Sequence, residues 1–283
     1  MRRFPLTLTA VALAATSAHA DIELPRVSPP ASVSLTIGTT DVEISYHRPA
    51  VKGRAVWGEL VPFDQVWRLG ANDATTIAIS DAATIAGKVV PAGEYALFAI
   101  PGKSTWTVIL NSRPKQWGAF YYKPAEDLVR FEVVPETSEF QEWMSFSIEP
   151  KGPNVAEVAM RWERVTVAFP IEVDVPGIVW KDILGELAET DADGDDYLFA
   201  ATYSLQQGGH REESLVWADR AVALKPGFWT FETRARLLHR EGRVSEALAS
   251  LDQAVADARG KTPQAYIDGL LKIREEWSAP ASR

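Results

Sequence analysis

The chain of 283 residues is long enough for one large or two medium domains, and its 46% apolar and 24% charged residues are ordinary for a globular protein. It contains no cysteine, which excludes disulfides, thiolate metal sites and cysteine nucleophiles. The formal net charge of −9 at pH 7 argues against a general binding surface for nucleic acid or for anionic membranes.

The first twenty residues have the pattern of a secretory signal peptide. Arg2 and Arg3 form a positive start, a short apolar run follows in residues 6–15, and residues 18–20 (AHA) match the small-x-small cleavage pattern. The apolar run is shorter than the roughly 20 residues that span a bilayer. We therefore predict cleavage after Ala20, no membrane span, and export to the periplasm, with the extracellular medium as the alternative.

The next part of the chain has the hydrophobic period of β-strands. Residues 21–31 contain three prolines and are predicted to form an extended arm. From residue 32 to residue 173, apolar and polar residues alternate in roughly ten short runs separated by turns, with residues 155–162 and 165–173 as separate strands. In one run Trp106, Val108 and Leu110 are expected to face the same side. This pattern indicates an all-β sandwich or barrel, of which we predict the sandwich.

After a predicted linker at residues 174–177, the hydrophobic period becomes helical through residues 178–283. Residues 209–224 and 242–257 form an internal repeat in which Ala221 matches Ala254. The repeat resembles the tetratricopeptide helix–turn–helix unit of about 34 residues. The predicted fold class is therefore α+β in separate parts, a β-sandwich domain followed by a tetratricopeptide-like helical region. We expect the two parts to touch, because the linker is short, and the helical tail to contact a protein partner.

Several ordered motifs in the β part carry a family resemblance. They are RP at 48–49, VKGR at 51–54, WG at 57–58, LVP at 60–62, VWR and GAN within 66–72, PAGEY at 91–95, WTV at 106–108 and QWGAF at 116–120. Together they resemble a bacterial exported family known as domain of unknown function 2911, over about residues 28–173. The resemblance implies an exported bacterial β domain, and it brings no catalytic residues with it.

One stretch, residues 45–76, is the leading candidate for a functional surface. It is rich in cations and aromatic rings within an acidic chain. Arginine offers a planar fork of donors that suits carboxylate, phosphate or sulfate, and tryptophan can stack on a sugar ring or a guanidinium. The predicted ligand-binding residues are Tyr46, His47, Arg48, Lys52, Arg54, Trp57, Trp67, Arg68 and Asn72. The structural alternative is that Glu59, Asp64 and Asp73 pair with these cations and that the tryptophans belong to the core.

Other candidate sites are weaker. Residues 116–122 could form an aromatic platform for sugars, or part of the core. The histidines that follow the signal peptide, His47, His210 and His239, are far apart in sequence, so no metal site and no cofactor are predicted. Residues 191–196 resemble a calcium loop, but Asp196 stands where that loop needs glycine. The alternative is a turn whose acids cap the next helix.

Three functions remain open on the sequence. The preferred hypothesis is a binding module that holds a small polar or anionic ligand, or a glycan, in its β domain. The first alternative is a hydrolase-like enzyme in which His47 is the catalytic base and Asp64 or Asp73 orients it. The second alternative is a cell-envelope assembly or structural factor without a small-molecule site. Whether the protein is an enzyme is left undecided.

Overall fold

The computed structural model describes residues 25–189 and 191–279, and within them two antiparallel sheets precede six α-helices. This confirms the predicted β domain followed by a helical region. The predicted signal peptide and the first residues of the arm lie outside the described residues. No helix in the described part of the chain is long and apolar enough to span a bilayer.

Ten strands form the two sheets of the β domain. The larger sheet has the order β1-β2-β3-β6-β7-β8 and the smaller has the order β5-β4-β10-β9. The strands are β1 Pro30–Ile37, β2 Thr40–His47, β3 Thr75–Ile79, β4 Ala83–Ile85, β5 Lys88–Val90, β6 Gly93–Ile100, β7 Trp106–Asn111, β8 Asp127–Val133, β9 Glu136–Pro150 and β10 Val155–Val173.

Alternation along the strands explains where the core lies. Trp106, Val108 and Leu110 of β7 enter the main core between the sheets, as predicted, whereas Ile109 points to the opposite face. There Ile109 joins a smaller cluster with Phe98 and Tyr122, and residues from the loops before β3 and β8 complete that cluster. These loops therefore cover the outer face of the larger sheet and position the candidate site.

Two strand boundaries differ from the prediction. Strand β1 begins at Pro30, inside the predicted arm. The two strands predicted between residues 155 and 173 are one strand, β10, whose pairing with β9 shifts register on either side of Glu163. Such bulges let a strand bend without ending its ladder of hydrogen bonds. The irregular sequence around Glu163 therefore marks a bulge within one strand and not a boundary between two strands.

The helical region contains three pairs of successive helices. Its elements are α1 Val175–Ala188, α2 Gly194–Gln207, α3 Arg211–Leu224, α4 Phe228–Arg240, α5 Val244–Ala258 and α6 Gln264–Ser278. Ala221 and Ala254, the matched positions of the repeat, are fully buried in α3 and α5. Asp193 caps α2 by accepting hydrogen bonds from the backbone N–H groups of Asp195 and Asp196, which is the capping role expected of the acidic turn.

The predicted linker is part of a helix. Residues 175–177 form the first turn of α1, and Asp174 caps it because its Oδ1 accepts from the Gly177 N–H at 3.1 Å. Pro176 is tolerated there because the first turn of a helix needs no N–H donor. Val175 and Ile178 also pack against the main β core. The helical region thus touches the sandwich directly, without a separate connecting segment.

We expect Gly38→Ala to destabilise this junction by about 2–3 kcal/mol. Gly38 has a φ of +63°, and a Cβ there would lie 2.3 Å from a Val175 Cγ. Both a left-handed alanine and an overpacked contact cost free energy, the latter because valine is stiff. Urea unfolding would measure the loss. In the double variant with Val175→Ala, about half of it should return, whereas an unchanged loss would place the effect in the β1–β2 turn alone.

Candidate functional site

Six of the nine predicted site residues line two pockets at the loop that joins β2 to β3, and the other three, Arg48, Trp57 and Asn72, line neither. The first, which we call the arginine pocket, has a volume of about 230 Å³. Its lining includes Lys52, Arg54, Trp67, Arg68 and Ser28. The second, which we call the histidine cavity, has a volume of about 770 Å³. Its lining includes Tyr46, His47, Asp73, Gln116 and Trp117.

The tryptophans of the predicted site belong to the core. Trp57 and Trp67 meet Trp106 and Trp162 in a cluster of four indoles. Trp67 stacks on Trp162 with ring centroids 5.9 Å apart, and its Nε1 donates to the Gly70 carbonyl at 3.1 Å. Tyr46 likewise packs edge-on against Phe146 across the sandwich. Both tryptophans therefore pack against other indoles, as the structural alternative has it, and Trp67 also lines the arginine pocket. Stacking of a ligand on either ring stays a prediction.

Two of the predicted arginines hold the loop together. Arg48 Nε donates to the Met144 carbonyl at 2.8 Å. Arg54 donates from Nη2 to the Ala50 carbonyl at 2.6 Å and from Nε to the Val51 carbonyl at 3.0 Å. Arg48 thus ties the loop to strand β9, and Arg54 ties its own turn together, so both arginines have a structural role. Neither one pairs with an acid within residues 25–189 and 191–279.

Arg68 is different, because its charge has no partner in the described part of the chain. No hydrogen bond or ion pair joins its guanidinium to another described residue, and its Nε is buried without a partner. Burial lowers the pKa of Arg68 from its usual range, but an arginine keeps its charge in a protein. Of the acids that the sequence offered as partners, Asp73 pairs with Arg26 of the arm instead.

The backbone around Arg68 is strained. Lys52, Leu69 and Asn72 have φ angles of +50°, +48° and +56°, in the left-handed region that favours glycine. The loop is held in this form by Thr75 Oγ1, which donates to the Leu69 carbonyl at 2.7 Å, and by the Asn72 side chain, which donates to the Ser28 carbonyl at 3.2 Å. Strain of this kind often marks a functional loop, since it persists only where surrounding contacts enforce it.

His47 lies in the histidine cavity, and the geometry gives it few catalytic partners. Its Nε2 is 3.9 Å from Asp73 Oδ2, beyond hydrogen-bond distance. Burial lowers the pKa of His47, and the nearby Arg26 and Arg68 lower it further against the opposing effect of Asp73. Ser45, the nearest serine in sequence, donates to Glu43. The hydrolase hypothesis needs a hydroxyl bonded to His47, and none is found among the residues that the structure describes.

In and beside the histidine cavity lie residues that the sequence analysis did not assign to the site. Arg26 Nη1 lies 3.0 Å from Asp73 Oδ2, and its guanidinium lies over the Trp117 ring, 5.6 Å from the centroid. The Gln116 side chain is buried, and its Oε1 has no hydrogen-bond partner among the residues that the structure describes. The sequence predicts Trp117 only as part of an aromatic platform, and nothing in the sequence of the arm distinguishes Arg26.

The aromatic segment 116–122 is mostly exposed. Trp117, Phe120 and Tyr121 face solvent, and Tyr122 packs against Phe98. Tyr122 also donates to Asp127 Oδ2 at 2.7 Å. Burial and this hydrogen bond raise the pKa of Tyr122 to about 12.

We therefore expect a pH-dependent loss of stability that depends on Tyr122. A phenol with a raised pKa stabilises the fold while it is protonated, so its contribution is complete below pH 10 and is lost as the pH rises towards about 12. Urea unfolding at pH 8 to 11 should show a shallower decline for Tyr122→Phe than for the unmodified protein. Tyr121→Phe, at the exposed neighbour, should leave the slope unchanged. Equal slopes for all three proteins would contradict the assignment.

Comparison with known proteins gives one match. The family model described as "Protein of unknown function (DUF2911)" matches residues 28–171, which is more than half of the chain. No curated protein and no solved structure matches. Among the described residues, no group of three or more His, Cys, Asp or Glu side chains is placed to hold a metal ion.

Proposed function

Because the chain belongs to the family of unknown function DUF2911, whose description names no activity, we propose from its site alone that the β domain is a binding module for a small anionic ligand in the arginine pocket. The observation that carries this proposal is the unpaired guanidinium of Arg68. A partly buried charge without a partner is costly for a folded protein, and a bound anion would offset that cost.

The lining of the pocket supports the choice of an anion over a neutral ligand. Lys52, Arg54 and Arg68 line it, and none of the acidic residues that the structure describes does. Its volume of about 230 Å³ is below the roughly 300–1,000 Å³ of pockets for drug-sized ligands. The fitting ligands are therefore phosphate, sulfate or a short carboxylate, or one such group at the end of a larger molecule. The planar fork of Arg68 can bind two oxygens of any of these groups.

Calorimetric titration and thermal shift with phosphate, sulfate, acetate and citrate would test the proposal. A ligand at 100 times its dissociation constant stabilises a protein by about 2.7 kcal/mol. Arg68→Met should weaken anion binding by roughly 10- to 150-fold, the equivalent of one charged hydrogen bond. Arg161→Met, at an exposed arginine of β10, is the matched control and should bind as the unmodified protein does. Equal binding by both variants, or no binding of any anion, would overturn the proposal.

The proposal includes export and a protein contact. Export to the periplasm is supported by the predicted signal peptide, and the mass of the protein recovered from that compartment should correspond to a start at Asp21. A protein contact through the helical region is supported by a groove of about 500 Å³ between α2 and α4. Phe199 and Trp229 on its two walls are exposed, and exposed aromatic residues are common at protein interfaces.

A further inference from the structure

The N-terminal arm places a cation at the edge of the histidine cavity, against two of the residues that line it. The Arg26 guanidinium pairs with Asp73 at 3.0 Å and lies over the face of Trp117. A carboxylate and an indole face are the two features that recognise a planar cation. We propose that the histidine cavity is a second binding site, for an amino-acid-sized ligand with a guanidinium or primary ammonium group, and that Arg26 occupies this subsite from within the chain.

The hold on Arg26 is weak enough for a ligand to displace it. The side chains of Arg26 and Asp73 are 46% and 50% exposed, and ion pairs this open to water contribute little. The bonds that fix the arm lie beyond Arg26: the Ser28 carbonyl accepts from Asn72, and the Pro29 carbonyl accepts from the Arg48 N–H. Arg26 can therefore leave Asp73 and Trp117 while β1 and the rest of the arm stay in place.

The subsite itself does not depend on Arg26 for its shape. Asp73 and Trp117 pair as an isolated antiparallel bridge. On either side of it, the Ala74 N–H donates to the Gln116 carbonyl at 2.9 Å and the Gly118 N–H donates to the Asn72 carbonyl at 3.0 Å. The carboxylate and the indole are thus held by two segments that are bonded to each other. This preorganisation reduces the entropy that a ligand must overcome on binding.

The remainder of the cavity has a mostly apolar lining that carries a few hydroxyls and one cation. Its volume of about 770 Å³ lies within the range of small-molecule sites. Ser32, Ser45 and Thr76 contribute hydroxyls to the lining, and Lys115 contributes a cation. Because His47 has a lowered pKa, it is neutral at pH 7 and does not repel a cation bound at Asp73. The cavity therefore suits a zwitterion such as a basic amino acid, whereas the arginine pocket suits anions.

Titration calorimetry of the full purified chain with L-arginine would test this inference. The matched ligand is L-citrulline, which has nearly the same shape and a neutral end group. We expect L-arginine to bind at least tenfold more tightly than L-citrulline. Arg26→Gln should raise the affinity for L-arginine by about three- to tenfold, because the competing side chain is gone. Arg164→Gln is the control, since Arg164 lies over the Phe140 ring at 5.8 Å, outside the lining of this cavity.

Two variants of the recognition pair complete the test. Asp73→Asn and Trp117→Leu, made in the Arg26→Gln background, should each weaken L-arginine binding by about tenfold or more. Trp117 is half exposed, so its replacement should leave the fold intact. It therefore still tests the subsite if Asp73→Asn perturbs the loop. The inference is overturned if Arg26→Gln fails to bind L-arginine, if citrulline binds equally well, or if affinity is unchanged in both variants.

Discussion

Replacing Trp162 with alanine is expected to lower the free energy of unfolding of the β domain by about 3–5 kcal/mol. Trp162 is 1% exposed, stacks on Trp67 and meets Trp57 edge-on. The variant loses the buried indole and leaves a cavity that three large, rigid rings cannot fill by small movements. For a domain of this size the melting temperature should fall by roughly 6–20 °C, which differential scanning calorimetry would measure.

The control for this prediction is Trp117→Ala, which removes the same side chain from a position that is half exposed. Its cost should be about 1 kcal/mol or less, because surface substitutions away from special features have small effects. A loss at Trp162 no greater than the loss at Trp117 would show that the four indoles do not form the centre of the core. The candidate site would then lack the rigid floor that Trp67 and Trp162 give the arginine pocket.

The same tryptophans show where prediction from the sequence reaches its limit. Trp57 and Trp67 lie close to the cations in the sequence. The sequence pattern is therefore compatible both with a ligand-binding platform and with a place in the core. Their partners, Trp106 and Trp162, come from β7 and β10. The choice depends on contacts between residues up to about a hundred positions apart, which local periodicity does not encode.

The positions of the strands were easier to predict than the group that each arginine side chain contacts. In β2, Val42, Ile44 and Tyr46 are buried in alternation, and a period of two is enough to predict that arrangement. Arg48, Arg54 and Arg68, in contrast, are chemically identical in the sequence. Backbone carbonyls of a folded loop engage the first two. Arg68 remains free within the described residues because the predicted acid partner Asp73 is engaged by Arg26.

Arg68→Met is expected to make the protein more stable in the absence of anions, by about 1–3 kcal/mol. The substitution removes a partly buried charge whose Nε has no partner and keeps an unbranched apolar stem of similar length. Replacing a buried charge by an apolar side chain is often neutral or stabilising. Urea unfolding and the melting temperature, which should rise by a few degrees, would measure the gain. Functional sites commonly carry such a cost to stability.

The matched variant is Arg48→Met, which should have the opposite sign. Arg48 bonds the Met144 carbonyl, so its removal leaves a partly buried acceptor unpaired and should cost about 1–3 kcal/mol. A saturating anion should then add stability to the two variants unequally. It should stabilise Arg48→Met as much as the unmodified protein and stabilise Arg68→Met much less. If Arg68→Met is instead destabilised without anion, its charge serves the fold itself, and the arginine pocket has no free cation with which to bind a ligand.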